Sequence, residues 1–175
     1  MLFRVYTGCD ALQRITNMEI KKIDSHYELF LDETRFVFDP PKVQEGSNII
    51  LTDISLNLNK DKIFNSPGEY NVEEVFFWGF NDKNSLSYLF QGKEGSLFYA
   101  VDEILEENLK KIRMIAKEID ALFFLNFFDE KVVPLFKPKI ILTNKKIDLP
   151  KFEKQKGDKL KVNLKKVEKL IFIFQ

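Results

Sequence analysis

One histidine, His26, and one cysteine, Cys9, are the entire imidazole and thiol inventory of the chain. That removes most zinc chemistry and any disulfide within the chain. A Ser-His-Asp triad would have to be built on His26 alone, and a Cys-His pair would need Cys9 to meet it. What remains for chemistry is oxygen. Asp53 lies in IILTDISLNL, where an apolar run stops and small polar residues alternate with apolar ones. A loop at the end of a buried strand is a common place to build a site. Asp53, Asp82 and Asp102 could converge on Mg²⁺ or Ca²⁺, which accept carboxylate and carbonyl oxygens. Asp102 has a simpler reading as the N-cap of a helix, worth about 1 kcal/mol. His26 lies in the alternating stretch MEIKKIDSHYELFL and reads as a strand residue with a local hydrogen bond.

The elements that must position these residues follow from periodicity. ETRFVFDPP is a strand stopped by two prolines, which cannot donate to a ladder. SNIIL reads as a short buried strand, and SPGEY as a turn with Gly68 free to take positive φ. Glu69 and Tyr70 in that turn read as structural. VEEVFFWGF and SLSYLFQ are strands, and GKEG joins the second to SLFYAV as a hairpin turn would. Trp78 and the surrounding phenylalanines read as core, with a few available to an association surface. The period then changes. DEILEENLKKIRMIAKEI sets Ile104, Leu105, Leu109, Ile112, Ile115, Ala116 and Ile119 at helical spacing, which predicts a helix over 103–119 capped by Asp102. Glu103, Glu106 and Glu107 suit the positive end of its dipole. ALFFLNFF and KPKIILTN are buried strands, with a short helix begun by Asp129 between them. A Lys-rich loop leads to two closing strands, KLKVNL and KLIFIF.

At 175 residues, 45% of them hydrophobic and 18 of them Phe, the chain can bury a sizeable core as one domain. Alternation becomes regular at Met18, so residues 1–17 read as an extension and 18–175 as the domain. Charge sums to zero but is unevenly placed. Residues 1–130 hold 14 Lys and Arg against 23 Asp and Glu, a net of −9; residues 131–175 hold 13 Lys against 4 acids, a net of +9. The basic segment could meet an anion, a nucleic acid or an acidic partner, or it could be a solvated face whose charge attracts the rest of the chain. No aromatic–basic motif of a nucleic-acid module accompanies it, which favours the solvated face. No run reaches about 18 apolar residues, so a cytoplasmic protein without a membrane span is expected.

Four stretches in order resemble the metallo-β-lactamase superfamily, in its small branch related to ascorbate-phosphate lactonases. ETRFVFDPP looks like that branch's early strand ending in Asp-Pro. IFNSPGEYNVEEVFFWGF is similar to its Pro-Gly-Glu-Tyr hairpin. SLFYAVDEILEENLKKI with IDALFFLNF resembles its strand, bridging aspartate, helix and next strand, and VVPLFKPKIILTN its Lys-Pro-Lys strand. The resemblance implies an α/β (α+β) fold, a reduced αββα four-layer sandwich of two mixed sheets with outer helices. In active members two metal ions at one sheet edge supply hydroxide for ester, lactone, lactam or phosphate hydrolysis. Carried over, the His-x-His-x-Asp-His positions hold Asp53, Ser55, Asn57 and Leu58. The next histidine falls near Asn81, the bridging aspartate at Asp102 and the last histidine at Asn144. Zinc favours imidazole and thiolate, so the expectation is a pseudo-hydrolase with no catalytic residues, metal or other cofactor. Its expected partner is another protein or a second copy of itself. The alternative is a hydrolase rebuilt around Mg²⁺, Ca²⁺ or Mn²⁺.

Overall fold

The computed structural model describes residues 18–56, 58 and 60–175. The reading of 1–17 as an extension, and with it Cys9, lies outside them, as does Asn57. Alternation at the start of the domain folds as expected. Strands β1 (Met18–Ile23), β2 (His26–Leu31) and β3 (Thr34–Phe38) pair antiparallel through tight turns. Because successive side chains point to opposite faces, Met18, Ile20, Leu29, Leu31, Phe36 and Phe38 share one face and are fully buried. Short parallel strands β4 (Asn48–Ile50) and β5 (Ile63–Phe64) extend the sheet beyond β3. On its other side β1 takes β13 (Lys159–Val162), which makes six strands.

The second sheet has eight strands. β6 (Gly68–Val72), β7 (Val75–Asn81), β8 (Leu86–Gln91) and β9 (Ser96–Ala100) are an antiparallel meander. β10 (Ala121–Phe124), β11 (Ile140–Thr143), β14 (Leu170–Phe174) and β12 (Glu153–Gly157) then run parallel to β9. Helix α1 (Glu106–Ile115) connects β9 to β10, and α2 (Val132–Phe136) connects β10 to β11. Such crossovers are what parallel neighbours require. The result is an α/β sandwich of two mixed sheets.

Two packed interfaces hold it. Between the sheets an aromatic core centres on fully buried Phe77. Its ring is 5.5 Å from Phe36, 4.8 Å from Phe64, and stacked 5.1 Å from both Tyr70 and Phe90. Outside the eight-stranded sheet, Ile112, Ile119, Val132 and Phe136 from the helical connections cover Leu89, Phe98, Leu122 and Phe124. Tyr70, read as structural, also donates its hydroxyl to the Ser66 carbonyl at 2.8 Å. Trp78 is half-buried against the helix side. Among the described residues no helix is long and apolar enough to cross a membrane.

Several expectations change. The helix is shorter than 103–119. It begins after Leu105, whose backbone is extended, and ends at Ala116, also extended. Ile119 donates its N–H to the Phe136 carbonyl, so packing against the second connection ends the helix before the apolar period does. The SPGEY turn is confined to Ser66 and Pro67, and Gly68 already opens β6. The Lys-rich loop contains β12, an edge strand exposed along nearly its whole length. A strand with no buried face carries no alternation to reveal it. His26 begins β2, but neither ring nitrogen has a hydrogen-bond partner although the residue is buried.

The oppositely charged halves are joined. Lys159 and Lys161 grip Glu19 at 2.7 and 2.9 Å, Lys139 meets Asp120 at 2.8 Å, and Lys165 pairs with Glu94. On the outer face of the six-stranded sheet, Glu28 is held by Arg35 and, at 3.0 Å, by Lys21. Burial alone would raise the Glu28 carboxyl, but these two cations outweigh it and hold it below the ordinary range. Cations lower Glu19 in the same way against its own burial. A carboxyl with a lowered native pKa binds fewer protons folded than unfolded, so its contribution is full above the unfolded value and lost as pH falls through the native one. Melting temperature should therefore drop as pH falls below about 4.5. Glu28→Gln should flatten that drop, and a variant as acid-sensitive as the parent would refute the assignment.

Candidate functional site

The C-terminal ends of β9, β10 and β11 align because these strands are parallel and in register: Ala100 lies beside Phe124, and Phe124 beside Thr143. The antiparallel β8 starts at the same edge, and β7 ends there, Asn81 opposite Leu86. Across the sandwich, β3 and β4 end side by side at Phe38 and Ile50. Residues at strand ends on this edge therefore come from Asp39, the loop over 51–56, Asn81–Asp82, Asp102, Asn126 and Asn144. The edge is the one the resemblance singles out.

A buried polar joint ties the two sheets there. Asp39 accepts the Thr52 N–H at 2.7 Å and the Thr52 hydroxyl at 2.8 Å, and Tyr99 donates to it at 3.3 Å. Burial raises the Asp39 carboxyl in spite of these donors. Thr52 in turn accepts the Leu86 N–H at 2.8 Å, and the Tyr88 hydroxyl donates to the Leu51 carbonyl at 2.8 Å. The loop bearing Asp53 is anchored at its root by these bonds. Beyond the root the loop turns on itself: Asp53 accepts both the N–H and the hydroxyl of Ser55, at 2.8 and 2.7 Å, and is exposed. Those bonds hold its carboxyl below the usual range. Ile54 and Leu56 are 49% and 41% exposed. With Leu58, Ile63, Asn65 and Tyr70 they line an open hollow of about 410 Å³.

Asp82 is the most constrained carboxylate of the edge. It is 5% exposed. One oxygen accepts the Ser87 hydroxyl at 2.5 Å; the other accepts the Leu105 N–H at 3.0 Å and the Asn108 side-chain amide at 2.7 Å. That amide also donates to the Asn81 carbonyl at 2.9 Å. Leu105 is the N-cap residue just before α1, so Asp82, in the turn between β7 and β8, satisfies a free N–H at the helix start and sets a negative charge at the positive end of the dipole. Asp102 does not cap this helix. Three residues of non-helical chain separate it from Glu106, and its carboxylate instead takes the Asn126 amide at 3.3 Å. The Lys145 ammonium donates to the Asn126 carbonyl, and Asn144 is exposed beside it.

Among the described residues, those at the implied positions do not fit the metal pair that the resemblance implies. Asp82 is buried with three protein donors on its two oxygens, and the Asp53 oxygen that makes bonds is engaged by Ser55. Leu58 has no donor atom, and Asn81 faces solvent with its carbonyl engaged. Among the described residues no three His, Cys, Asp or Glu side chains come together as a metal-holding group, so Asp53, Asp82 and Asp102 do not converge. His26 starts β2 at the end beside Phe38, and so lies at this same edge, but neither of its ring nitrogens has a hydrogen-bond partner and it makes no bond in this network.

The residues that organise the edge were not singled out by composition. Asp39 hides in an Asp-Pro strand end. Asn108 carried a signal: it falls on the Leu105, Ile112, Ile115 stripe, where a polar residue must find a buried partner.

No family model and no curated protein matches the sequence. Solved structures do match in shape. A metallo-β-lactamase superfamily protein of Thermotoga maritima superposes with a TM-score of 0.67 at 16% identity, over 90% of this chain and all of that one. The metallo-β-lactamase fold protein YhfI of Bacillus subtilis gives 0.51 at 10% identity, over 90% and 96% of the two chains. CmlA, a diiron β-hydroxylase of Streptomyces venezuelae, gives 0.50 at 8%, over 73% of this chain and 44% of its own. At such identities the likeness speaks for architecture and not for chemistry: this chain has the metallo-β-lactamase fold.

Proposed function

We propose that this protein is a pseudo-hydrolase: a metallo-β-lactamase-fold protein without metal chemistry, retained for interaction with a partner. The observation that carries the reading is Asp82, whose carboxylate is turned inward to hold a helix rather than outward to hold a cation. Around it the loop that would present imidazoles presents Ile54 and Leu56 to solvent instead. Neutral amide and hydroxyl oxygens bind zinc poorly beside imidazole or thiolate.

Elemental analysis of purified protein tests this directly. Zinc, manganese and iron should each fall below about one-tenth of an equivalent after dialysis, because these positions lack imidazole. Esterase, lactonase and phosphodiesterase substrates should remain uncleaved with Mg²⁺, Ca²⁺ or Mn²⁺ added. Near-stoichiometric metal that survives dialysis, or metal-dependent turnover, would establish a rebuilt hydrolase instead.

A further inference from the structure

The eight-stranded sheet's helices leave an open groove of about 910 Å³ between them, on a different face from the strand-end edge. Five cations border it: Lys110, Arg113 and Lys117 from α1 and its exit, Lys131 and Lys137 from the two ends of α2. Glu118 is the one carboxylate in the lining, and it pairs with Lys137 at 3.5 Å. Lys110 pairs with Glu106 at 3.0 Å. Arg113, Lys117 and Lys131 have no ion-pair partner among the described residues. In the middle of these charges sits Met114, 87% exposed, on the side of α1 opposite buried Ile112, with Pro134 and Leu135 beside it.

We propose that this groove binds an acidic peptide segment of a partner protein, with carboxylates on Arg113, Lys117 and Lys131 and an apolar residue against Met114. Charge complementarity is the ground. Three unpaired cations around an exposed thioether match a segment that interleaves acids with a large apolar side chain, and Met adapts readily to such a surface. A nucleic acid fits less well. The bases of a single strand stack on aromatic side chains, and none lines the groove. A bilayer fits less well too, since one exposed apolar residue on a ten-residue helix gives little to bury. A second copy of the same face would set cation against cation. The inference rests on the interaction half of the functional reading and is independent of whether the strand-end edge binds metal.

The probe is a short fluorescein-labelled peptide of repeating Glu-Glu-Leu, followed by anisotropy with the full chain. Saturable binding is expected, weakening on going from about 0.05 to 0.5 M salt. The pair Arg113→Glu with Lys117→Glu should weaken it by at least about tenfold, because attraction becomes repulsion. Met114→Gln should weaken it less, as should replacing every Leu of the peptide by Ser. All substituted side chains are exposed, and thermal melts of each variant check that the fold is kept. Failure of the peptide to bind would overturn the proposal, as would indifference to the charge reversals with the fold intact. Tighter binding of an oligothymidylate or of phosphatidylserine vesicles, or self-association abolished by the same reversals, would replace it with another occupant. None of these outcomes bears on the metal content of the protein.

Discussion

Replacing Asp82 by alanine will destabilise the protein by about 3 kcal/mol, whereas Asp102→Ala will change stability by less than about 1 kcal/mol. The sequence-based expectation was the reverse, with Asp102 as cap. Truncation at 82 removes an acceptor from the Ser87 hydroxyl, the Leu105 N–H and one hydrogen of the Asn108 amide. Ser87 and Asn108 are 1% and 2% exposed, so water does not readily replace the lost oxygens. Each buried donor left without a partner costs about 1–3 kcal/mol, less where the site relaxes. The start of α1 loses a negative charge in the same stroke. Asp102, by contrast, is half-exposed and holds one long bond to the exposed end of Asn126. Asp82→Asn should lie between, since its oxygen can serve one donor pair while its amide must turn to Ser87 as a donor. Urea unfolding at neutral pH reads all three. Equal losses at the two positions would mean that Asp82 does not organise the helix start.

Phe77→Ala will be the more damaging of two adjacent substitutions, at about 3–5 kcal/mol, while Phe76→Ala will cost under about 0.5 kcal/mol. The two residues are neighbours in sequence and opposites in space. Phe77 is fully buried among Phe36, Phe64, Tyr70 and Phe90, so truncation leaves a cavity bounded by both sheets. Rings held on opposing strands cannot collapse into it without moving the sheets. Phe76 points the other way and is 50% exposed. For a chain of this size the first loss corresponds to a fall in melting temperature of about 10 °C. A reversed ranking would place β7 one residue out of register, with Phe76 rather than Phe77 facing the core.

Strands with one buried face were legible because alternation is a direct trace of two environments. Met18, Ile20, Leu29, Leu31, Phe36 and Phe38 follow that logic, while His26, Glu28 and Val37 are buried on the opposite face as well. The parallel strands β10 and β11 were legible as short apolar runs flanked by turn residues. What escaped was set by partners distant in sequence. The end of α1 is fixed by Phe136, and its start by Asp82, 23 positions before Leu105. No local pattern encodes either. The four motif-like stretches pointed to the fold, but the part Asp82 and Asp102 play at the helix start was not legible from them. An aspartate before an apolar helical pattern looks like a cap whether the chain winds at once or runs on without helix, as it does from Asp102 to Leu105. Asn108 and Asp39 needed a three-dimensional neighbour before their polarity had a purpose.

The two sheets end in open margins, and those margins bear on solubility. β12 and β13 are the last strands on one side of each sheet, and their exposed positions include Lys154, Lys156, Lys159 and Lys161. A strand margin offers unpaired N–H and C=O groups to any other extended chain, and lysine is among the commonest means of keeping such chains away. This protein carries no net charge to repel its own copies. Its colloidal behaviour therefore depends on where the charge is placed, and lysines along two strand borders discourage edge-to-edge pairing between copies. Neutralising them, by acylation or by high pH, leaves the core untouched but strips the borders of the charge that keeps copies apart.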